Sequence, residues 1–451
     1  MSKIGIECHI QLETKTKLFC SCPTSGKDIP NSRTCEICAG FPGSKPTLNK
    51  EAINQALKVA LALNCKISNE MFFSRKSYFY PDLAKNFQIS QYEIPLAKLG
   101  KLENINIRRI HLEEDPGRLI HKNTYTLIDY NRSGIPLIEV VTEPDFKSPE
   151  EVRLFLNKLT LILEYLGVYS RKNENTARTD ANLSVENGQR VEIKNITGIK
   201  EVEKALNYEL KLQEKEPAKI QQTKAWNAEK QITFLLRTKE TEEDYGYIFE
   251  PDLTKIEITQ EQIKNTKKTL PELADRKISR FIKQYKIPKA DAQVIASELI
   301  LAELFEKIIE KISPSLAAKW IRRELLRVLH YNKKTLEQVK IDEKHMIELL
   351  ELVESKQITD ATAKKLLEQL IEKSFSPKEY VKKQDLKVIS TEKDLENHCK
   401  QAIKENPQAV KDYKQGKEEA LHFITGSVMR KTKGKADPKT VKEILTKLIK
   451  S

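Results

Sequence analysis

The 451-residue sequence has few cysteines, few glycines and no long apolar stretch. Its 7 cysteines are an odd, low number, which argues against a disulfide framework and favours a reducing compartment. No apolar run approaches the length that spans a bilayer, so an integral membrane protein is not expected. The first residues enter an alternating pattern without the basic and apolar regions of a secretory signal. We therefore expect a cytoplasmic protein.

Three widespread catalytic motifs are missing as well. The sequence has no glycine-rich P-loop, no dinucleotide-binding glycine fingerprint and no Gly-x-Ser-x-Gly nucleophile elbow. If the chain uses ATP, we expect the nucleotide to bind without a glycine-rich loop, on a sheet surface lined with acidic residues.

Basic residues exceed acidic ones, 78 against 65, for a net charge of +13 with neutral histidines. The excess is concentrated near the end, where residues 401–451 hold 12 Lys or Arg and 6 Asp or Glu. The run Arg430–Lys435 has the composition of a loop that grips phosphate groups. A nucleic-acid partner and a merely solvated basic surface both explain this charge.

Glycine placement divides the chain into two parts. Ten of the 14 glycines lie at or before Gly198, and none lies between Gly246 and Gly416. The first part therefore reads as mixed strands and helices, and the glycine-poor part as packed helices. The clearest helix signal is Ser148-Pro149 with Glu151, a capping box, and Gly167 marks the end of that helix.

Four cysteines form the most specific local motif. Cys20 and Cys22 are followed, after twelve intervening residues, by Cys35 and Cys38. Two such pairs can converge on one tetrahedral Zn²⁺, and four thiolates leave no position open for substrate. We interpret the motif as a structural zinc site; the alternative is a set of four incidental thiols.

Acidic residues recur on the polar sides of predicted strands. Residues 4–12 alternate strictly, with isoleucines on one side and Glu7 and His9 on the other. Further polar positions follow in other strands: His111, Glu113, Glu114, Asp115, Asp180, Asn182, Glu192 and Lys194. Oxygen-rich clusters with an imidazole suit Mg²⁺ and nucleotide phosphates, although solvated sheet faces show the same pattern.

Long stretches of the chain resemble the B subunit of glutamyl/aspartyl-tRNA amidotransferases of the GatCAB type, the GatB family. The matching segments include residues 6–12, the cysteine loop, and residues 75–83, 88–92, 110–115, 129–139, 180–182, 191–195, 250–253 and 431–436. The resemblance implies an α+β fold: a glutamine-synthetase-like cradle domain with a mainly antiparallel sheet over 1–290, a helical domain over 291–377 and a YqeY-like basic tail over 378–451.

The resemblance also implies the reaction. Proteins of this family use ATP and Mg²⁺ to phosphorylate the side-chain carboxylate of glutamate or aspartate on a mischarged tRNA. Ammonia, which the glutaminase partner (the A subunit) releases from glutamine, then displaces the phosphate, and a third protein (the C subunit) holds the other two together. A carboxylate is a poor electrophile, so activation as an acyl phosphate supplies the leaving group that amidation needs.

Site residues transfer from the family motifs by position. The implied catalytic residues are Glu7, His9, Glu113, Glu114 and Lys194. Glu7, His9 and Glu114 match the magnesium ligands, and Asp180, Asn182 and Glu192 belong to the ATP and substrate pocket. The competing hypothesis is a non-catalytic, zinc-stabilised adaptor that binds tRNA. The acidic set separates the two, because a carboxylate-lined pocket repels RNA unless a metal fills it.

Overall fold

The computed structural model describes residues 2–170, 177–238, 245–339, 341–388, 392–432 and 435–450. The chain forms two compact units, Met1–Leu273 and Ala274–Ser451. The boundary between these units lies before residue 290, at which we predicted the end of the cradle domain. The division of the second unit at 377/378 stays a prediction.

The described part of the first unit contains sixteen strands. They are β1 (Lys3–Gln11), β2 (Lys66–Ile67), β3 (Glu70–Met71), β4 (Ser74–Ser77), β5 (Phe87–Ser90), β6 (Ala97–Leu102), β7 (Ile105–Glu114), β8 (Arg118–His121), β9 (Thr126–Asp129), β10 (Pro136–Thr142), β11 (Ala177–Ser184), β12 (Val191–Thr197), β13 (Gln222–Asn227), β14 (Ile232–Thr238), β15 (Ile248–Phe249) and β16 (Ile256–Glu257).

Nine of these strands form one sheet in the order β14-β13-β12-β11-β1-β10-β7-β6-β2. Neighbouring strands in it run antiparallel, apart from the parallel pair β12 and β13. Smaller sheets contain β15-β4-β5, β16-β3 and β8-β9. A mainly antiparallel sheet followed by a helical unit confirms the predicted α+β class.

The central strand β1 separates two chemically different faces of this sheet. Ile4, Ile6 and Cys8 point into the main hydrophobic core and are at most 2% exposed. Glu7 and His9 point to the opposite face, since successive side chains alternate along a strand. Residues that pair across neighbouring strands share a face, so the register extends this polar face over β10, β7, β11 and β12.

Helices cover the apolar face. The first unit contains α1 (Lys50–Ala62), α2 (Pro149–Tyr165), α3 (Ile199–Lys215) and α4 (Gln260–Lys268). The first three contribute buried side chains to the same core as the sheet. Ser148 caps α2 by accepting from the Glu151 amide, as predicted. The Glu151 carboxylate accepts from the Lys147 amide at 2.8 Å, one residue earlier than an ideal capping box requires.

The regular elements in the described part of the second unit are all helices. Its helices are α5 (Ala274–Tyr285), α6 (Lys289–Ala296), α7 (Leu299–Ile308), α8 (Pro314–Lys319), α9 (Leu326–Tyr331), α10 (Glu343–Glu354), α11 (Asp360–Glu372), α12 (Pro377–Lys383), α13 (Glu392–Glu405), α14 (Pro407–Lys414), α15 (Glu418–Lys431) and α16 (Pro438–Lys450). A π-helical segment, Trp320–Leu325, joins α8 to α9.

The last helices pack around a core of their own, which includes Leu395, Leu421 and Leu445. Lys433 and Gly434 of the predicted phosphate-gripping loop lie outside the described residues. No helix in the described ranges is both long enough and apolar enough to cross a membrane.

Candidate active site and cysteine centre

The polar face of the nine-stranded sheet brings together side chains that are far apart in the sequence. His9 on β1 pairs with Glu139 on β10, and Glu139 pairs with His111 on β7. Leu137 on β10 pairs with Glu113, so Glu113 lies on the same face two positions further along. The register of three antiparallel strands therefore places two imidazoles and two carboxylates together.

The distances in this first group are short. The His9 Nε2 lies 3.5 Å from Glu139 Oε2 and 4.0 Å from Glu113 Oε1. The His111 Nε2 lies 3.0 Å from Glu139 Oε2 and 3.6 Å from Glu113 Oε2. His9, Glu113 and Glu139 each offer one ligand atom within 4.8 Å of the others, and we name them the imidazole set.

Electrostatics in the imidazole set follow from burial and neighbouring charge. Burial would raise the pKa of Glu139, but His111 and His9 hold it well below its ordinary value. Burial would lower the pKa of His9, yet the Glu139 carboxylate outweighs this and raises it to about 9. The set thus keeps its carboxylates ionised, and one nitrogen with two carboxylate oxygens is a donor combination that fits a divalent cation.

A second acidic group lies on the same face of the sheet, on the side of β1 toward β11 and β12. Glu7 pairs with Asp180 on β11, and Asn182 pairs with Glu192 on β12. Glu7, Asp180 and Glu192 offer carboxylate oxygens within 4.8 Å of one another, and we name them the carboxylate set. The Lys194 Nζ lies 2.6 Å from Glu192 Oε1 and 3.1 Å from Asp180 Oδ2.

Charge in the carboxylate set is only partly balanced. Burial, and then the nearby carboxylate of Glu139, raise the pKa of Glu7 to about 7. Burial would lower the pKa of Lys194, but Asp180 and Glu192 raise it well above its ordinary value. In addition, Asn182 Oδ1 is buried without a hydrogen-bond partner among the described residues. Crowded carboxylates beside an unused amide oxygen fit an oxygen-ligated cation such as Mg²⁺.

A local irregularity fixes the orientation of Asp180. The pairing of β11 with β12 shifts register between Thr179 and Ala181, a β-bulge that flanks Asp180. Asn195 has a left-handed backbone with a φ of 56°, and its amide donates to Asp180 Oδ1 at 2.7 Å. The bulge and the hydrogen bond from the Asn195 amide therefore fix the orientation of the Asp180 carboxylate.

The family motif predicts that Glu114 lies with Glu7 and His9. The structure does not bring these three side chains together. Glu114 follows Glu113 directly in β7, so its side chain points to the other face of the sheet. It is 2% exposed and accepts hydrogen bonds from the Ile89 amide at 2.8 Å and from Lys85 Nζ. Glu114 thus fastens β5 to β7, while Glu113 occupies the polar face.

A cavity of about 760 Å³ opens over the polar face. Its floor includes His9, Glu113 and Asp180, and its wall includes Tyr78 and Asp82. Six basic side chains also line it: Lys76, Arg118, Arg132, Arg178, Lys194 and Arg237. Acids on the floor and cations around the wall suit a ligand that carries both phosphate groups and bound metal.

Buried Asp115 organises part of this basic wall. Its carboxylate accepts from Gln11 and from Arg178, and Oδ2 lies 3.6 Å from Arg132 Nε. Arg132 also donates to the Pro116 carbonyl at 2.8 Å and to another backbone carbonyl. One fully buried carboxylate therefore orients two guanidinium groups toward the cavity.

Sequence reasoning missed Glu139 and Arg178 as members of the site, and it gave His111 no separate role. Glu139 is the most informative omission, because it stands in the otherwise uncharged strand Pro136–Thr142, every residue of which is buried. An acid inside an apolar strand is costly unless it is paired or ligates a metal. That unusual position was the signal that could have identified it.

The four predicted cysteines do converge. The Sγ atoms of Cys20, Cys22, Cys35 and Cys38 all lie within 4.8 Å of one another. The Cys35 and Cys38 sulfurs are 4.0 Å apart, close to the roughly 3.8 Å expected in a tetrahedral site with Zn–S bonds of about 2.3 Å. Hydrogen bonds from Cys20 and Lys17 lower the pKa of Cys38 to about 4. The cluster is thus compatible with zinc.

Comparison with known proteins agrees with this architecture. A family model described as the GatB/GatE catalytic domain matches residues 2–264, and one described as the GatB domain matches residues 303–449. Three similar proteins carry the name of the B subunit of aspartyl/glutamyl-tRNA(Asn/Gln) amidotransferase. The protein of Caldanaerobacter subterraneus subsp. tengcongensis is 43% identical over 98% of each chain. That of Thermotoga petrophila is 43% identical over 99% of this chain and 98% of the relative.

The protein of Carboxydothermus hydrogenoformans is 41% identical over 98% of this chain and 97% of its own length. These matches cover both units and confirm the resemblance that the sequence motifs indicated. The chain belongs to the GatB/GatE family.

Proposed function

We propose that this chain is the component of a tRNA-dependent amidotransferase that activates and amidates the side-chain carboxylate of glutamate or aspartate on tRNA. The observation that carries the proposal is the cavity, whose acidic floor and basic wall meet on one face of the sheet. The volume of about 760 Å³ lies within the range of small-molecule sites. The names of the family relatives support the same reaction.

Each group of residues has a separate part in this proposal. His9, Glu113 and Glu139 would hold one divalent cation, and Glu7, Asp180 and Glu192 would hold a second, with Asn182 and Lys194 beside it. Bound Mg²⁺ supplies charge neutralisation, which lets an anionic carboxylate approach an anionic phosphate. The guanidinium groups of Arg132 and Arg178 bind phosphate oxygens at the wall. Glu114 is a positioning residue and does not touch the substrate.

The reaction proceeds in two displacements. An oxygen of the substrate carboxylate attacks the γ-phosphorus of ATP, the bond between this phosphorus and the β,γ-bridging oxygen breaks, and ADP leaves. Ammonia then attacks the acyl carbon of the mixed anhydride, the carbon–oxygen bond breaks, and phosphate leaves as the nitrogen loses a proton. Lys194 lines the cavity beside the carboxylate set, and its ammonium group stabilises charge that develops on phosphate oxygens.

Ammonia comes from a partner in this scheme. Among the described residues that line the cavity there is no cysteine or serine that could attack the amide of glutamine. We therefore propose that the glutaminase partner supplies ammonia, that the third protein of the GatCAB type joins the complex, and that the mischarged tRNA is the carrier substrate. The complex would act in the cytoplasm, where charged tRNA is used.

The test is a reconstitution of this chain with the glutaminase and the third protein, in the presence of glutamine, Mg²⁺ and radiolabelled Glu-tRNA or Asp-tRNA. We expect labelled glutamine or asparagine only when ATP is present. If no amide forms while tRNA still binds in a salt-sensitive way, the zinc-stabilised adaptor is the correct function. The acidic floor argues against that alternative, because carboxylates facing the cavity would repel RNA phosphates.

A further inference from the structure

Lys17 is a fully buried cation beside the cysteine centre. Its side chain is 0% exposed, and its Nζ donates to Cys38 Sγ at 3.4 Å and to the Tyr130 carbonyl at 3.1 Å. A zinc ion with four thiolate ligands carries a net charge of about −2. An ammonium group inside the same buried region would offset part of that charge.

The cysteine loop, residues 20–38, is fastened along its length to a second segment, residues 128–135. Asn31 donates to the Ile128 carbonyl at 3.0 Å and accepts from the Tyr130 amide at 2.7 Å. The Asn131 side chain accepts from the Arg33 amide at 2.8 Å. At the end of the loop, Ser133 Oγ donates to the Cys38 carbonyl at 3.2 Å. The position of the 128–135 segment therefore depends on the fold of the cysteine loop.

The same segment reaches the cavity. It carries Arg132, whose guanidinium lines the cavity wall beside Asp115. The Gly134 amide donates to the Asp115 carbonyl at 2.9 Å, and the Asp115 amide donates to the Ile135 carbonyl at 2.9 Å. Asp115 in turn holds Arg178. Hydrogen bonds and the backbone of the segment thus connect Cys38 to Asp115 and Arg178, and an ion pair connects Asp115 to Arg132.

We propose that the cysteine centre positions the basic wall of the cavity through Lys17 and the 128–135 segment. Lys17 is then a positioning residue: its ammonium group retains the metal and ties the metal-bearing loop to the segment that carries Arg132. The coupling stands on contacts within the first unit alone. Only the readout of nucleotide binding rests on the proposed function.

The first test is metal retention in the full-length chain. The variant Lys17→Met keeps an unbranched side chain that is one atom shorter and removes its charge. We expect it to lose zinc to a competing chelator about 10- to 100-fold more readily than the unmodified chain, the usual effect of removing a group that contacts a ligand. Lys224→Met is the matched control, because Lys224 is also a buried lysine but pairs with Glu209 at 2.8 Å. Equal zinc retention in both variants would overturn the proposal.

The second test is hydrogen exchange of the backbone amides of residues 128–135. We expect these amides to lose protection in Lys17→Met and in the unmodified chain after zinc is stripped, while residues 191–197 of β12 stay protected. Unchanged protection after zinc removal, or the absence of zinc from the purified chain, would overturn the coupling. If Lys17→Met does not fold, the comparison of the unmodified chain before and after zinc removal still decides the test.

ATP affinity separates the coupling from the proposed function. If the zinc-loaded chain binds ATP and the stripped chain binds it about tenfold more weakly or worse, the metal acts on the phosphate-binding wall. If the zinc-loaded chain does not bind ATP at all, the proposed function fails, and the exchange experiment still decides whether the coupling exists.

Discussion

The cysteine centre and the acidic face of the sheet assemble candidate metal ligands in opposite ways. The cysteine centre takes four sulfurs from one loop between Cys20 and Cys38, so a short stretch of sequence contains the whole site. The acidic face takes its ligands from β1, β7, β10, β11 and β12, and the register of the sheet brings them together. A site within one loop can be recognised in the sequence from the spacing of its ligands. A site assembled by strand register appears in the sequence only as separate acidic residues.

The two sites also differ in the number of metal coordination positions that they would leave open to a substrate. Four thiolates would complete the coordination of a zinc ion, so we expect the cysteine centre to position neighbouring structure and not to bind substrate. Each acidic set offers three candidate ligand atoms beneath a cavity, which would leave coordination positions of a hard cation free for phosphate oxygens. The comparison therefore predicts that damage to the acidic face stops the reaction, and that damage to the cysteine centre acts indirectly, by loosening the fold around it and the basic wall of the cavity.

The largest expected effect follows from Glu139→Gln. This substitution keeps the size of the side chain but removes the charge that His9 and His111 share. We expect the rate of amide formation in the reconstituted complex to fall about 10²- to 10³-fold, the scale of losing one electrostatic contact to the transition state. The measurement is the initial rate with saturating ATP and charged tRNA.

Glu143→Gln is the matched control for this variant. Glu143 follows β10 directly, but its partner is the exposed Arg108 at 2.8 Å. Its rate should stay within about twofold of the unmodified chain, as expected for an exposed ion pair. Equal losses in both variants would mean that Glu139 acts through stability and not through the reacting groups.

The acidic face also shows how far sequence reasoning reaches. The strict alternation of β1 was enough to assign Glu7 and His9 to one face. The run from His111 to Asp115 did not allow such an assignment, because with three adjacent acids either alternate set of side chains could occupy the polar face. The phase is set by the pairing of His111 with Glu139, a contact between residues 28 positions apart that no local pattern encodes. The family motif favoured Glu114 as a metal ligand, with Glu113 in the same site, whereas the structure places only Glu113 of these two on the polar face.

The next largest effect concerns the cysteine centre. Cys35→Ser should reduce bound zinc from about one ion per chain to nearly none, since serine is a poor ligand for this metal. Residues 20–38 should become sensitive to proteolysis while the helical unit stays folded. Zinc analysis and limited proteolysis measure the two outcomes. Cys65→Ser, at a buried cysteine outside the cluster, should retain zinc. Full zinc retention in Cys35→Ser would remove that residue from the ligand set.

A smaller effect is expected from Glu114→Gln, which tests the two faces of β7 directly. Loss of the carboxylate weakens the buried contacts to Lys85 and the Ile89 amide, so the free energy of unfolding should fall by about 1–3 kcal/mol. Amide formation under stabilising conditions should stay within about threefold, unlike that of Glu113→Gln. Urea unfolding and initial rates measure these quantities. If Glu114→Gln is as inactive as Glu113→Gln, then both faces of this strand end serve the reaction.

The smallest effect is expected from Cys8→Val, at the position between Glu7 and His9. Cys8 is 2% exposed and points into the main core, away from both acidic sets. Valine is apolar and close in volume, so the free energy of unfolding should change by less than about 1.5 kcal/mol and the rate of amide formation should not change. Glu7 and His9, the neighbours of Cys8 in the sequence, belong to the candidate site. This variant therefore tests whether activity depends on the face of the sheet that a side chain occupies or on its place in the sequence. A rate loss comparable to that of Glu139→Gln would show that the apolar face transmits strain to the ligands, and that the two faces of β1 are not independent.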